Sequence, residues 1–239
     1  ESRAYPLRML VWHEIVNDTV GGVPILVSFS PLCNSTQIFV RYIGDKILKF
    51  GNTGRLRNFN TIMFDTKTES WWQQYTGTSI VGDYLGATLK KVPHRRETFS
   101  NYKKRKPNGK LMIPKNLRDH SYGTTPYIRM DSQKYTPSNL SQKIPGHIKE
   151  MDRLVIIQDQ AWPISLLIKK KQIKTENIII SWWPGSNSIH DTRWIPFGKD
   201  IGNVSVLRKK DGKWVDAVYT EVFAFAFAAF VPEGKWNLK

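Results

Sequence analysis

The chain has 239 residues, 40% of them hydrophobic and 12% aromatic, which excludes a disordered polymer and suffices for a sizeable core. Its formal net charge of +16 points to an anionic partner. A single cysteine, Cys33, excludes an intrachain disulfide and any cysteine-rich zinc site.

In chain order, residues 4–14 (AYPLRMLVWHE) carry Leu7, Leu10 and Val11 on one face behind Pro6, which predicts a short helix. IVNDTVGGVPILVSF then reads as strand, turn and strand about Gly21-Gly22, and QIFVRYIGDKILKFG as a hairpin about Gly44-Asp45. NTIMFDTKTESWWQQ adds another strand and turn. Residues 93–150 are poorer in apolar side chains and read as a long connection holding one helix that ends at a Pro-Asn-Gly turn. From Asp152 strands return in RLVIIQ, ENIIISWW, GNVSVLRK and KWVDAVYT. VFAFAFAAFV at 222–231 alternates Phe with Ala, a strand period, and is too short for the roughly 20 residues that span a bilayer.

The second half echoes the first. Ala4-Tyr5-Pro6-Leu7 lines up with Ala161-Trp162-Pro163-Ile164, and Leu10 with Leu167. SPLCNS at 30–35 lines up with WPGSNS at 183–188 after a short gap that fits loss of the Gly21–Pro24 turn region. The expectation is a β-rich fold, mainly β with a few short helices and an α+β arrangement also open, built on a duplicated strand-turn-strand unit. One domain over 1–239 would then comprise two related halves, about 1–92 and 152–234, joined by a basic, loop-rich connection at 93–151. Between Lys90 and Arg118 there are eleven Lys or Arg and one acid, Glu97. That run reads as a solvated face or as the seat of an anionic partner. No nucleic-acid recognition motif accompanies it.

Three polar residues stand out in the first copy: His13, Glu14 and Cys33. Gly185 or Ser186 stands where Cys33 would fall in the echo, and the His13-Glu14 pair is replaced. An imidazole with a thiolate suits copper or zinc, so His13 and Cys33 are candidate metal ligands. Asn17 stands where a helical zinc motif would need its second histidine. The alternative is nucleophilic: Cys33 as thiolate, His13 as base, Glu14 or Asp18 as orienter. The structural reading is a buried apolar thiol beside a half-buried histidine. A second cluster, Arg55, Arg57, Asp65 and Gln73, follows the Gly51-Asn52-Thr53-Gly54 loop. Its guanidinium pair suits a carboxylate or phosphate ligand, or else a structural ion pair with Asp65 or Glu69. A third function class is a non-enzymatic binding module for a small molecule or anionic partner.

The stretches SRAYPLRMLVWHEIVNDTVGGVPILVSFSPLCNS, FGNTGRLRNFNTIMFDTKTESWWQQ and FAFAFAAFVPEG resemble the family catalogued as domain of unknown function 3179. The resemblance extends over nearly the whole chain and is most specific in its first 75 residues. It implies an extracytoplasmic protein, since many family members carry an export signal, and it implies no activity. Members commonly show Cys-Pro-Leu-Cys where this chain has Ser30-Pro31-Leu32-Cys33, a departure that argues against thiol–disulfide exchange here.

Overall fold

A computed structural model describes residues 1–132 and 140–239. In the first half, β1 (Arg3–Ala4) leads into α1 (Leu7–His13), and β2 (Ile15–Val20), β3 (Val23–Ser30) and β4 (Ser35–Val40) form an antiparallel sheet. The short hairpin of β5 (Tyr42–Ile43) and β6 (Lys46–Ile47) follows, turning at Gly44-Asp45. Next comes a four-stranded antiparallel sheet of β7 (Phe50–Arg57), β8 (Asn60–Asp65), β9 (Trp71–Gln73) and β10 (Ser79–Val81). The connection carries α2 (Phe99–Arg105) and β11 (Lys110–Leu111).

The second half opens with β12 (Arg153–Ile157), β13 (Gln160–Pro163) and α3 (Ile164–Lys170). A second antiparallel sheet, of β14 (Gln172–Lys174), β15 (Ile178–Trp183), β16 (Asn203–Lys210) and β17 (Lys213–Asp216), follows. The chain closes with β18 (Thr220–Phe223), α4 (Ala224–Phe230) and β19 (Lys235–Trp236). The fold is β-rich, with small antiparallel sheets that repeat.

The run VPILVSFS makes β3 because it can be buried on both faces. Ile25, Val27 and Phe29 enter one cluster with Leu10 of α1, while Leu26 enters another with Phe39, Met63 and Trp72. Ser28 and Ser30, on the same face as Leu26, are fully buried and need partners, which β8 and the residues after β9 supply.

The repeat is visible in the backbone. Helix α1 follows Pro6 at φ −64°, ψ 128° and stops at Glu14 at φ +56°, whose N–H bonds to Leu10 O at 2.8 Å. Helix α3 follows Pro163 at φ −61°, ψ 136° and stops at Lys171 at φ +62°, whose N–H bonds to Leu167 O at 2.7 Å. The Phe29 N–H then bonds to Glu14 O, and the Trp182 N–H to Lys171 O, both at 2.8 Å. The shorter β14–β15 hairpin accounts for the gap in the sequence match.

The likeness also takes in α2 and β11, inside the stretch read as connection. β1 pairs in parallel with β11 (Arg3↔Lys110, Ala4↔Leu111) as β13 does with β19 (Gln160↔Lys235, Ala161↔Trp236). Lys106, after α2, has φ −136°, ψ 70°, and Val231, after α4, has φ −129°, ψ 78°.

One element departs from expectation. The Phe-Ala alternation from Phe223 is not a strand: β18 ends at Phe223 and Ala224–Phe230 form α4. Ala224 through Ala229 are all buried, so this helix has no polar face to impose a helical period. Alanine's high helix propensity and a self-contained set of hydrogen bonds favour the helix.

Candidate functional site

The residues singled out in the sequence separate into two groups. Glu14 turns its side chain to β7 and β8, where Oε2 accepts from Thr61 Oγ1 at 2.8 Å and Asn52 Nδ2 at 3.0 Å. Burial raises its carboxyl above the usual range, with these donors opposing. Thr61 Oγ1 lies 3.2 Å from Ser30 Oγ, which also accepts the Thr61 N–H at 3.1 Å. The Ser30 and Asn60 side chains contact the Cys33 thiol, which donates to Phe59 O at 3.2 Å. Asn60 Oδ1 accepts from Gln73 Nε2 at 2.6 Å, and Gln73 Oε1 accepts from Arg57 Nη1 at 3.4 Å.

A polar network thus joins Glu14, Cys33, Gln73 and Arg57. Cys33 itself is fully buried among Tyr75, Met151, Phe225 and other apolar residues, and burial pushes its thiol well above the ordinary value.

The others lie outside this network. His13 is exposed; its Nε2 meets Tyr122 OH at 2.7 Å and its ring sits edge-on to His120. Arg55 lies over the Trp71 ring at 5.6 Å, while Trp72 is buried. Asp65 organises the turn into β9, accepting from the Thr68 N–H at 2.8 Å and from Trp72 Nε1 at 3.0 Å.

A buried ionic cluster escaped the sequence reading. Arg153 Nη2 reaches Ser188 Oγ at 2.9 Å, His190 Nδ1 at 3.2 Å and Asp131 Oδ2 at 3.4 Å. Burial, with Arg96 adding to it, lowers Arg153 to about 10, and Asp131 and Glu221 oppose that shift. Burial works against ionised Asp131, yet the Ser188 hydroxyl, Arg153 and Lys199 hold its carboxyl below the usual range. Arg96 and Glu221 face each other at 3.9 Å, and they occupy equivalent positions before α2 and at β18. The available signal was a charge set in otherwise apolar strands, as in RLVII and TEVF.

A cleft of about 970 Å³ opens beside the first half. Leu10, Ile25, Val27 and Ile38 line it, with Arg3, Arg8, Arg95, Arg96 and Arg105 and with the carboxylates of Glu1, Glu97 and Asp216. Arg3 pairs with Glu1 and Asp18, Arg95 with Asp216 and Arg105 with Glu97, and Arg96 faces Glu221. One wall includes Phe99 and Tyr102 of α2 and Leu111 of β11. Beyond that wall Lys103, Lys104 and Lys106 are exposed, and among the described residues none has a carboxylate partner.

A family model described as a protein of unknown function (DUF3179) matches residues 1–234. The chain belongs to the DUF3179 family. No curated protein and no solved structure matches it.

Among the described residues of this DUF3179 chain, no three or more His, Cys, Asp or Glu side chains gather as a metal-ligand set. His13 and Cys33, expected to hold copper or zinc, have separate sets of neighbours: Tyr122 for the imidazole and Phe59 O for the thiol.

The buried cluster makes a pH dependence testable. An arginine only donates and a carbonyl only accepts, so His190 accepts from Arg153 at Nδ1 and donates Nε2–H to Pro31 O at 2.7 Å. Burial, then the Arg153 charge, holds His190 neutral and well below its ordinary value. The unfolded chain gains a proton near pH 6.5 that the folded chain cannot accept. Stability from this group is thus complete above that pH and declines as pH falls toward the folded value, by at most about 1.4 kcal/mol per pH unit. His94, lowered to about 4 by burial, acts in the same sense, while the raised carboxyls of Glu14 and Glu221 act in the opposite one. Comparing His190→Gln with the parent isolates the term. Urea unfolding at pH 7.5, 6.0 and 5.0 is expected to show a flatter acid limb in the variant; parallel limbs would contradict it.

Proposed function

We infer that this DUF3179 chain is an exported, non-enzymatic binding module that holds an anionic partner along the cleft and its α2 wall. The observation carrying this reading is the exposed Lys103, Lys104 and Lys106 on α2 and after it, without carboxylate partners among the described residues, on the outer side of the cleft wall. Exposed Phe99, Leu111 and Ile113 near the same wall supply apolar contact. A fully buried thiol driven to its neutral form is a poor nucleophile, which favours binding over thiol chemistry. The export component rests on the family resemblance.

The test is salt-dependent retention on an immobilised polyanion such as heparin. Lys103→Gln, Lys104→Gln and Lys106→Gln together leave the Arg105–Glu97 pair intact. They are expected to lower the slope of log affinity against log salt by roughly two to three, one charge contributing just under one unit. An unchanged slope would remove the support for this surface.

A further inference from the structure

The last turn of α1 and the turn at 120–124 bring together donor-bearing rings that line neither the cleft nor the buried ionic cluster. Trp12 and His13 come from α1, His120 and Tyr122 from the turn. The ring centres of His13 and His120 are 4.9 Å apart, those of His13 and Tyr122 5.8 Å, and those of His120 and Tyr122 5.7 Å. His13 Nε2 meets Tyr122 OH at 2.7 Å.

The chain holds these rings from both sides. Trp12 stacks on the His120 ring at 5.3 Å with an interplanar angle of 12°, which orients that imidazole. The turn is closed by the Tyr122 N–H on His120 O at 2.8 Å and by the Thr124 N–H on Ser121 O at 3.0 Å. Its far end is anchored: Thr124 and Thr125 are buried, Thr124 bridges to Trp194, and the Thr125 N–H bonds to Arg193 O at 3.0 Å. On the other side α1 ends at Glu14, whose carboxylate is turned away to Thr61 and Asn52. Two imidazoles and a phenol remain, with His13 open to solvent.

Their spacing is that of donors around one ion. A metal–nitrogen bond is about 2.0–2.1 Å, so two imidazoles on one ion have ring centres roughly 4.5–5.2 Å apart, and an imidazole and a phenolate roughly 5–6 Å apart. The contact between His13 Nε2 and the Tyr122 hydroxyl is one proton wide. Two ligand atoms on one ion stand about 2.9–3.4 Å apart, so an ion in place of that proton needs an opening of only a few tenths of an ångström. Imidazole nitrogen suits zinc, nickel and copper, and a nitrogen and oxygen set completed by water suits copper(II), which stands highest in the affinity order of the divalent ions.

We propose that His13, His120 and Tyr122 form a surface binding site for a divalent transition ion, copper(II) above zinc(II). The ion takes the place of the proton between His13 Nε2 and the Tyr122 oxygen. That proton leaves to solvent, and the phenolate oxygen and two imidazole nitrogens become ligands. Because the third donor is a phenol, this set stands beside the finding that no three His, Cys, Asp or Glu gather among the described residues. The site is a second binding function and does not depend on the polyanion surface.

Copper sulfate titrated into the whole 239-residue chain, without polyanion, is the test. The parent is expected to bind the ion with a phenolate-to-copper charge-transfer band in the visible and nitrogen splitting in its electron paramagnetic resonance spectrum. His13→Gln and His120→Gln are each expected to weaken binding at least about tenfold. Tyr122→Phe, which keeps the ring, is expected to remove the band while the nitrogen splitting stays. His147→Gln, at an exposed histidine elsewhere in the chain, is expected to change neither. A parent without the band, full binding by His13→Gln and His120→Gln, or binding lost with His147→Gln overturns the proposal and leaves the rings as a packing cluster only.

Discussion

Replacing Arg153 with alanine is expected to cost about 3–5 kcal/mol of unfolding free energy, the range for breaking a buried ion pair on one side. Arg153 lies on β12, opposite Phe223 of β18, with its guanidinium 5.2 Å from that ring's centre. Its Nη2 serves Ser188, His190 and Asp131 at once. Alanine leaves Asp131 with Lys199 as its remaining ion-pair partner and removes the donor to His190 Nδ1. Glu221, already raised by burial, loses one of two cations that oppose the shift. The double variant Arg153→Met with Asp131→Asn removes the charge at both ends and is expected to recover part of the loss, because an uncompensated buried charge is the larger cost. Urea denaturation of the parent, single and double variants checks this. A single-variant cost under about 1 kcal/mol would mean that the cluster contributes little net stability.

Phe227→Ala is the second large effect, about 3–5 kcal/mol for emptying an aromatic site in the core. Phe227 is fully buried in the cluster of Leu154, Ile156 and Val222, with its ring edge-on to Trp236 at 4.9 Å. Its contact with Gly234 is close: a Cβ added there would lie 2.3 Å from the Phe227 ring. Gly234→Ala is therefore expected to destabilise by overpacking where Phe227→Ala destabilises by a void, typically about 1–3 kcal/mol. Combining the two is expected to cost less than their sum, since the shortened side chain relieves the clash. Strict additivity would show that the ring and the glycine do not share one space.

Phe227 also marks a limit of the sequence. Short-range pattern identified α1, the β2–β3 hairpin and the returning strands of the second half, because each has one buried face or a turn of the required chemistry. It failed at Phe223–Phe227, where every side is buried and the apolar period carries no information. The duplication was legible in Pro6 and Pro163 and in Leu10 and Leu167, which set matching helices. Its extension to α2 and α4 was hidden because Tyr102 and Phe227 are embedded in unlike sequences, one basic and one apolar. Glu14 and Cys33 do share a network, but through the hydroxyls of Thr61 and Ser30, whose long-range contacts no local spacing reveals. Pairing of Ile15 with Ser28 brings the ends of β2 and β3 together, which by itself would set His13 near Cys33. A helix reversal at Glu14 sends the two side chains to different neighbours. Arg153, Asp131 and His190 meet across positions far apart in the chain, so nothing short of the fold could join them.

That the first half's polar network holds the fold, leaving binding as the work of the molecule, is tested most directly at Cys33. The measurement is its rate of modification by a small uncharged disulfide in folded protein from pH 6 to 9. The expected rate is far below that of the urea-unfolded chain at every pH and rises with conditions that open the fold. Fast modification of the native chain, titrating at or below the ordinary thiol value of about 8.5, would contradict it.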